Sequence, residues 1–270
     1  DVKNLVIGDR VALEPGKTCG VCEFCKIGKY NLCADVEFFA TPPYHGVFTN
    51  YVAHPEDMCF KLPDNVSNVE GALVEPLAVG LHASDQGNVK LGDTVVIFGT
   101  GCIGLVTLLS CKAKGASNVI VIDVLENRLK VAEKIGASHV INAKENNIIQ
   151  KIDEITNGRG ADVVIDTAGA EITLKQTVDV VRRGGTIVLV GMAPKDEVEF
   201  SFMKLMGKEA EIKTVFRYRN LYPTAIKAIA SGSINAKDIV SHEFEFDKIK
   251  EAFDFVVGNA SDVVKAVIKI

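Results

Sequence analysis

The sequence has 270 residues, 47% hydrophobic and 24% charged, with 23 glycines, 7 cysteines and no tryptophan, enough apolar material for one or two packed domains. Lys and Arg number 30 against 35 Asp and Glu, a formal net charge of −5 without any like-charged block, which disfavours disorder and a nucleic-acid partner, since phosphate binding needs a basic footprint. The opening DVKNLVIGDR has neither a basic stretch nor an apolar run, so no secretory signal is read there; without an initiator Met, position 1 need not be where the gene product begins.

Residues 1–76 contain short strand-like pieces, the pair Pro42-Pro43 and many turn formers, which predicts a mostly β, loop-rich domain. Four of the seven cysteines fall in one string, CGVCEFCKIGKYNLC, as Cys19, Cys22, Cys25 and Cys33, with Gly20 and Gly28 allowing the chain to reverse between them. A disulfide scaffold spreads its cysteines through a chain, whereas four thiolates in one short loop suit a closed, structural zinc site. A four-thiolate iron–sulfur centre and paired disulfides are the other arrangements, the latter disfavoured by the lack of secretory features.

From Thr94 onward, short β-branched runs alternate with helical stretches. The runs are 94–98, 118–122, 139–142, 162–166, 186–190 and 211–216; helices are predicted from Leu105 to about Lys114, over 126–135 and near 147–157 and 173–183. Near-continuous Val/Ile runs suit strands covered on both faces, so this region predicts an α/β, doubly wound parallel sheet of six strands. The uncharged stretch from Thr94 to Cys111 has the length of a membrane span, but Gly99, Gly101 and Gly104 break it into strand, turn and helix.

That turn, GTGCIG from Gly99 to Gly104, follows a strand and opens a helix. The first glycine makes the turn, the second admits a pyrophosphate close to the backbone, and the third lets helix and strand approach. The helix N-terminus then presents free N–H groups to phosphate. Asp123 ends the next strand, where a carboxylate can accept ribose hydroxyls and repel a 2′-phosphate, which favours NAD over NADP. A glycine-rich packing turn in an unliganded domain is the plainer alternative. Arg128 suits either the adenine side or a solvated helix face.

Beyond Tyr218 a helix is predicted over 222–231, an amphipathic stretch from Phe246 to Val257, and a final alternating strand in VVKAVIKI. The sheet domain, 77–218, therefore reads as inserted between the parts 1–76 and 219–270 of the other.

A four-cysteine lobe followed by a dinucleotide turn resembles the zinc-containing medium-chain dehydrogenase/reductase family. The strings FFATPP at 38–43, VEPLAVGLHA at 74–83 and VFRYRN at 215–220 narrow the resemblance to its sorbitol (polyol) dehydrogenase branch. The resemblance implies a Rossmann-type coenzyme domain, a GroES-like catalytic domain, and oxidation of a secondary alcohol to a ketone with NAD and zinc. It makes Glu75 an acidic neighbour of a catalytic zinc, reaching the metal directly or through its water, and places Phe38, Thr41, Arg217 and Tyr218 around the substrate hydroxyls. It assigns Ile103, Asp123, Arg128, Val190, Gly191, Met192, Val215, Phe216 and Arg217 to NAD. A small-molecule polyol, a homotetramer and a cytoplasmic setting follow as expectations, with neither membrane nor nucleic acid involved.

The family's catalytic zinc is held by a Cys and a His-Glu pair, and no GHE string occurs here; none of His45, His54, His82, His139 and His242 is assigned to metal. The expectation is therefore a catalytic domain truncated at its N-terminal end. A butanediol or threonine dehydrogenase is the alternative within the family, and a non-catalytic NAD- and zinc-binding module is the alternative outside it.

Overall fold

The computed structural model describes residues 2–270, which form two compact units. One comprises the chain up to Ala78 together with Phe216–Ile270; the other is Val79–Val215.

In the first unit, β1 (Val11–Leu13), β2 (Gly16–Lys17), a short α1 (Glu23–Lys26), β3 (Glu37–Phe38) and β4 (Cys59–Lys61) precede a long helix, α2 (Asn68–Gln86). The β1 strand pairs antiparallel with β4, and β2 with β3. Helix α2 begins on a capping box: Ser67 Oγ accepts the Glu70 N–H at 3.2 Å, and a Glu70 oxygen accepts the Ser67 N–H at 2.8 Å. Glu75 thus lies well inside the helix and is not an acid at its N-terminus. Pro76 sits in the helix interior, where its missing N–H leaves one rung of the ladder unmade, yet Leu73, Val74, Leu77 and Ala78 are fully buried and hold the helix in place.

The second unit carries β5 (Thr94–Phe98), α3 (Cys102–Ala113), β6 (Asn118–Asp123), α4 (Glu126–Lys134), β7 (His139–Asn142), α5 (Ile148–Thr156), β8 (Ala161–Asp166), α6 (Glu171–Val180), β9 (Val181–Leu189), α7 (Phe202–Lys208) and β10 (Glu211–Thr214). Its six strands are all parallel, in the order β10-β9-β8-β5-β6-β7. The chain runs outward from β5 in both directions, so the switch point lies between β5 and β8, where such sheets bind ligands at the carboxyl ends of the strands. Val95, Val96, Ile97 and Phe98 are all fully buried, as a strand covered on both faces requires. Gly80 lets α2 lie against α3, for a Cβ there would meet the Val106 carbonyl at 2.7 Å.

Several boundaries differ from expectation. Helix α6 starts at Glu171 and stops at Val180; the residues up to Arg183 expected to continue it instead begin β9, whose pairing with β8 shifts between Ala161 and Val163. Gly184, in the left-handed region, and Gly185, where a Cβ would meet the Ala161 and Asp162 carbonyls within 3.2 Å, permit that irregularity. Strand β10 ends at Thr214, although the Val215 N–H still reaches Leu189 O at 2.9 Å.

The chain returns to the first unit through α8 (Tyr222–Ala230), β11 (His242–Glu245), α9 (Ile249–Gly258) and β12 (Ala266–Lys269). The alternating C-terminal run forms β12, parallel to β11, with Phe255 of α9 against His242 and Phe244. Among the described residues no helix is long and apolar enough to cross a membrane; the uncharged stretch is divided between β5 and α3.

Candidate active site and metal centre

The four cysteines of the lobe converge. Their Sγ atoms all lie within 4.8 Å of one another, and Cys19 and Cys25 are 3.9 Å apart. Four thiolates on one zinc at the usual Zn–S length stand about 3.8 Å apart, so the donor set fits a tetrahedral ion. Gly20 and Gly28 both take positive φ, as the reversals demand. Cys19, Cys22, Cys25 and Cys33 are not joined by disulfides. The Cys22 N–H approaches Cys19 Sγ at 3.3 Å, and N–H groups of Val21 and Cys22 pull the Cys19 thiol down to about 7, toward the thiolate a metal needs. Among the described residues, this is the one grouping of three or more potential His, Cys, Asp or Glu ligands. No comparable set among them surrounds Glu75.

Elsewhere in the first unit, Phe38, Arg217 and Tyr218 line one small cavity together with Glu14, Tyr30 and Asn31. The Arg217 guanidinium lies 4.0 Å from the Phe38 ring centre, a cation–π contact, and one of its terminal nitrogens, Nη1, is buried without a hydrogen-bond partner. Tyr218 is 2% exposed, and its hydroxyl also lacks a hydrogen bond of ordinary geometry. Burial, then the nearby Glu75 charge, push ionisation of that phenol far up. Burial likewise raises the Glu75 carboxyl, against the Tyr218 hydroxyl and the Lys265 charge, which lower it. Phe216 is exposed, and so is Thr41, whose N–H donates to Phe38 O at 3.1 Å but whose side chain is not among the cavity's lining.

Glu14, Tyr30 and Asn31 escaped the sequence reading. The available signal was an acid set between Leu13 and Pro15 in an otherwise apolar strand end. Glu14 is 3% exposed and accepts the Tyr30 hydroxyl at 2.7 Å, and burial raises its carboxyl to about 7. The folded chain therefore keeps a proton that the unfolded chain releases near 4.5, so this residue's contribution to stability is full below 4.5 and is lost as pH rises to about 7. Glu14→Gln keeps an acceptor for Tyr30 and should flatten that fall, gaining on the order of 2 kcal/mol relative to wild type across the window, read by urea unfolding at either side of it.

In the second unit the glycine turn has the expected form. A Cβ on Gly104 would stand 1.9 Å from Gly99 O, so only glycine lets α3 leave the strand this closely. Gly101 is the N-cap of α3, and a Cβ there would meet nothing nearer than Arg128 Nη1 at 3.8 Å, which leaves a cradle open before the helix N-terminus. Ile103 lies in the first turn, which makes α3 begin three residues earlier than the periodicity predicts. Asp123 is wired into this turn: one carboxylate oxygen accepts the Thr100 N–H and hydroxyl at 2.6 and 2.7 Å, the other the N–H groups of Val124 and Leu125 at 2.7 and 3.0 Å. Thr100, fully buried, is a residue the motif reading overlooked.

The loops after β8 and β9 meet beside this turn. The N–H groups of Val190 and Gly191 both reach Asp166 O, at 2.9 and 3.0 Å, and a Cβ on Gly191 would lie 2.2 Å from Gly169 N. Thr167 Oγ1 donates to Phe98 O at 2.9 Å, locking the switch point. Met192 projects almost fully into solvent, and Val215 is half-buried.

Comparison with known proteins agrees with this geometry. Residues 1–64 match the alcohol dehydrogenase GroES-like domain and residues 102–231 the zinc-binding dehydrogenase domain. A zinc-type alcohol dehydrogenase-like protein of Escherichia coli is 47% identical over 270 residues, covering 100% of this chain and 77% of that one. The sorbitol dehydrogenase of Bacillus subtilis is 39% identical over 267 residues, covering 99% and 76%. A crystal structure of an Escherichia coli oxidoreductase/dehydrogenase of unknown specificity superposes with a TM-score of 0.96 at 47% identity, covering 100% and 77% of the two chains.

Proposed function

The chain belongs to the zinc-type medium-chain dehydrogenase family, on its sorbitol dehydrogenase branch, and from that premise we propose that it oxidises a secondary alcohol of a polyol, of the sorbitol or xylitol type, to a ketose with NAD. The observation that carries this reading is the pair of buried polar atoms Arg217 Nη1 and Tyr218 Oη, which lack hydrogen-bond partners of ordinary geometry, with the Glu75 charge near Tyr218. Buried polar groups without partners are costly, and the hydroxyls of a polyol supply partners for both. Arg217 donates to a substrate oxygen, while Glu75 accepts a hydroxyl hydrogen and Tyr218 serves in either sense. A simple alcohol leaves some of these groups unmet and is bound more weakly.

The cradle at Gly101, the Asp123 carboxylate and the loop Val190–Met192 support a dinucleotide, with Ile103, Arg128, Val215, Phe216 and Arg217 as further contacts. A bound NAD supplies the hydride acceptor. The negative charge of Asp123 supports NAD over NADP, because a 2′-phosphate there meets repulsion. The four-cysteine lobe supports one structural zinc. Its free thiols suit a reducing compartment, in keeping with a cytoplasmic setting. The outer edge of β10 carries no strand among the described residues and is flanked by exposed Phe202, Met203, Met206 and Ile212, which supports assembly, with a homotetramer as the proposed form.

The test is NADH formation with sorbitol, xylitol, 2,3-butanediol and threonine in parallel. Turnover of a polyol, at kcat/KM at least about tenfold above the other two, is the expected result. Preference for butanediol or threonine would move the chain to a different substrate, and dependence on NADP would remove Asp123 from its proposed role.

A further inference from the structure

The loop between the third and fourth cysteines contains no metal ligand, yet it grips the segment that carries Arg217 and Tyr218. Asn31 Nδ2 donates to Phe216 O at 2.8 Å, and Arg219 Nη1 donates back to Asn31 Oδ1 at 3.2 Å. The Asn220 N–H donates to the Tyr30 hydroxyl at 2.6 Å, and Asn220 Nδ2 donates to Gly28 O at 2.8 Å. Tyr30 is fixed in turn by its own bond to Glu14 at 2.7 Å. Asn31 is 5% exposed, so its amide is committed to these partners.

The gripped segment needs holding. Arg217 and Asn220 both sit at φ 56°, in the left-handed region, which Asn tolerates readily but Arg occupies only when surrounding contacts impose it. Two such residues bracket Tyr218, and the first places its guanidinium on Phe38. The bonds from Tyr30 and Asn31 fall on the peptide before Arg217 and on the one that enters Asn220, the two ends of the strained turn.

Resting on the polyol reading above, we propose that Tyr30 and Asn31 are positioning residues for substrate recognition: they hold the 216–220 turn in its left-handed form, so that Arg217 and Tyr218 present their polar ends to the substrate hydroxyls. The cysteine lobe then has a second task, as the fixed platform from which the specificity segment is set. Both also line the cavity with Arg217 and Tyr218, but their assigned part is exercised through the turn.

The test uses Asn31→Ala and Tyr30→Phe in the full chain, with zinc content, polyol kinetics and a crystal structure of each. The expected result is a KM for the polyol raised about tenfold with kcat within about threefold, the size of one or two lost hydrogen bonds. Zinc content stays at the wild-type value, and Arg217 leaves the Phe38 ring. Tyr30→Phe, which removes one oxygen only, keeps the test alive if Asn31→Ala fails to fold. An unchanged polyol KM, or kcat falling as much as KM rises, overturns the proposal. If the wild-type chain oxidises no polyol, the functional reading fails by itself, and the crystal structures still decide the positioning: Arg217 found on Phe38 in both variants overturns it, and Arg217 displaced sustains it.

Discussion

Replacing Gly104 by alanine should abolish dinucleotide binding and destabilise the Val79–Val215 unit together. The added Cβ would sit 1.9 Å from Gly99 O and 2.8 Å from Gly99 C, and both atoms are backbone, so neither can rotate away. Either the turn opens or α3 is pushed off the strand that feeds it. The cost is about 3 kcal/mol, at the upper end for overpacking, and NADH affinity should fall at least about 100-fold. Gly101→Ala makes the informative contrast. Its Cβ would meet only Arg128 Nη1 at 3.8 Å, so the fold should keep its stability to within about 1 kcal/mol, yet the methyl stands where the pyrophosphate approaches. Thermal unfolding combined with NADH titration separates the two: Gly104→Ala loses both, Gly101→Ala loses binding alone. Retained NADH binding in both variants would remove the turn from the cofactor site.

Substitution of Cys33 by serine should empty the lobe of zinc. Cys33 is the buried member of the four, and without its thiolate only three of the converging donors remain. Metal analysis is expected to give one tightly held zinc per chain in the wild type and none in the variant. Loss of the ion should destabilise its unit by on the order of 5 kcal/mol, because binding energy at a structural site is folding energy. Cys111→Ala is the control: that thiol is fully buried away from the lobe, and burial pushes it up to about 12, so it is a packing residue and its loss should leave the zinc in place. Iron in place of zinc, or full zinc content in Cys33→Ser, would contradict the assignment.

Much of this was legible in the amino-acid order, for identifiable reasons. The runs at 94–98 and 139–142 match β5 and β7 to the residue; for β5 the reason is that a strand covered on both faces must be continuously apolar. The glycine turn and the four cysteines are local motifs whose geometry is set within a few residues. Helix α2 was not legible: Pro76 and Gly80 interrupt its pattern, and burial of Leu73, Val74, Leu77 and Ala78, a tertiary effect, overrides them. Glu14, Tyr30 and Asn31 were missed because their meaning lies in partners far along the chain; the Asn31 bond to Phe216 spans 185 positions. The Thr100 grip on Asp123, 23 residues away, is invisible for the same reason.

The measurement that bears most directly on the account follows the hydride itself. The chain is incubated with NAD and a sorbitol deuterated at its secondary carbinol carbons, and the coenzyme and sugar products are analysed by mass spectrometry and NMR. The expected products are NADH carrying one deuterium and a ketose in equal amount, both lost in Arg217→Met. Deuterium-free NADH, a product oxidised at the terminal carbon to an aldose, or undiminished transfer in Arg217→Met would contradict it.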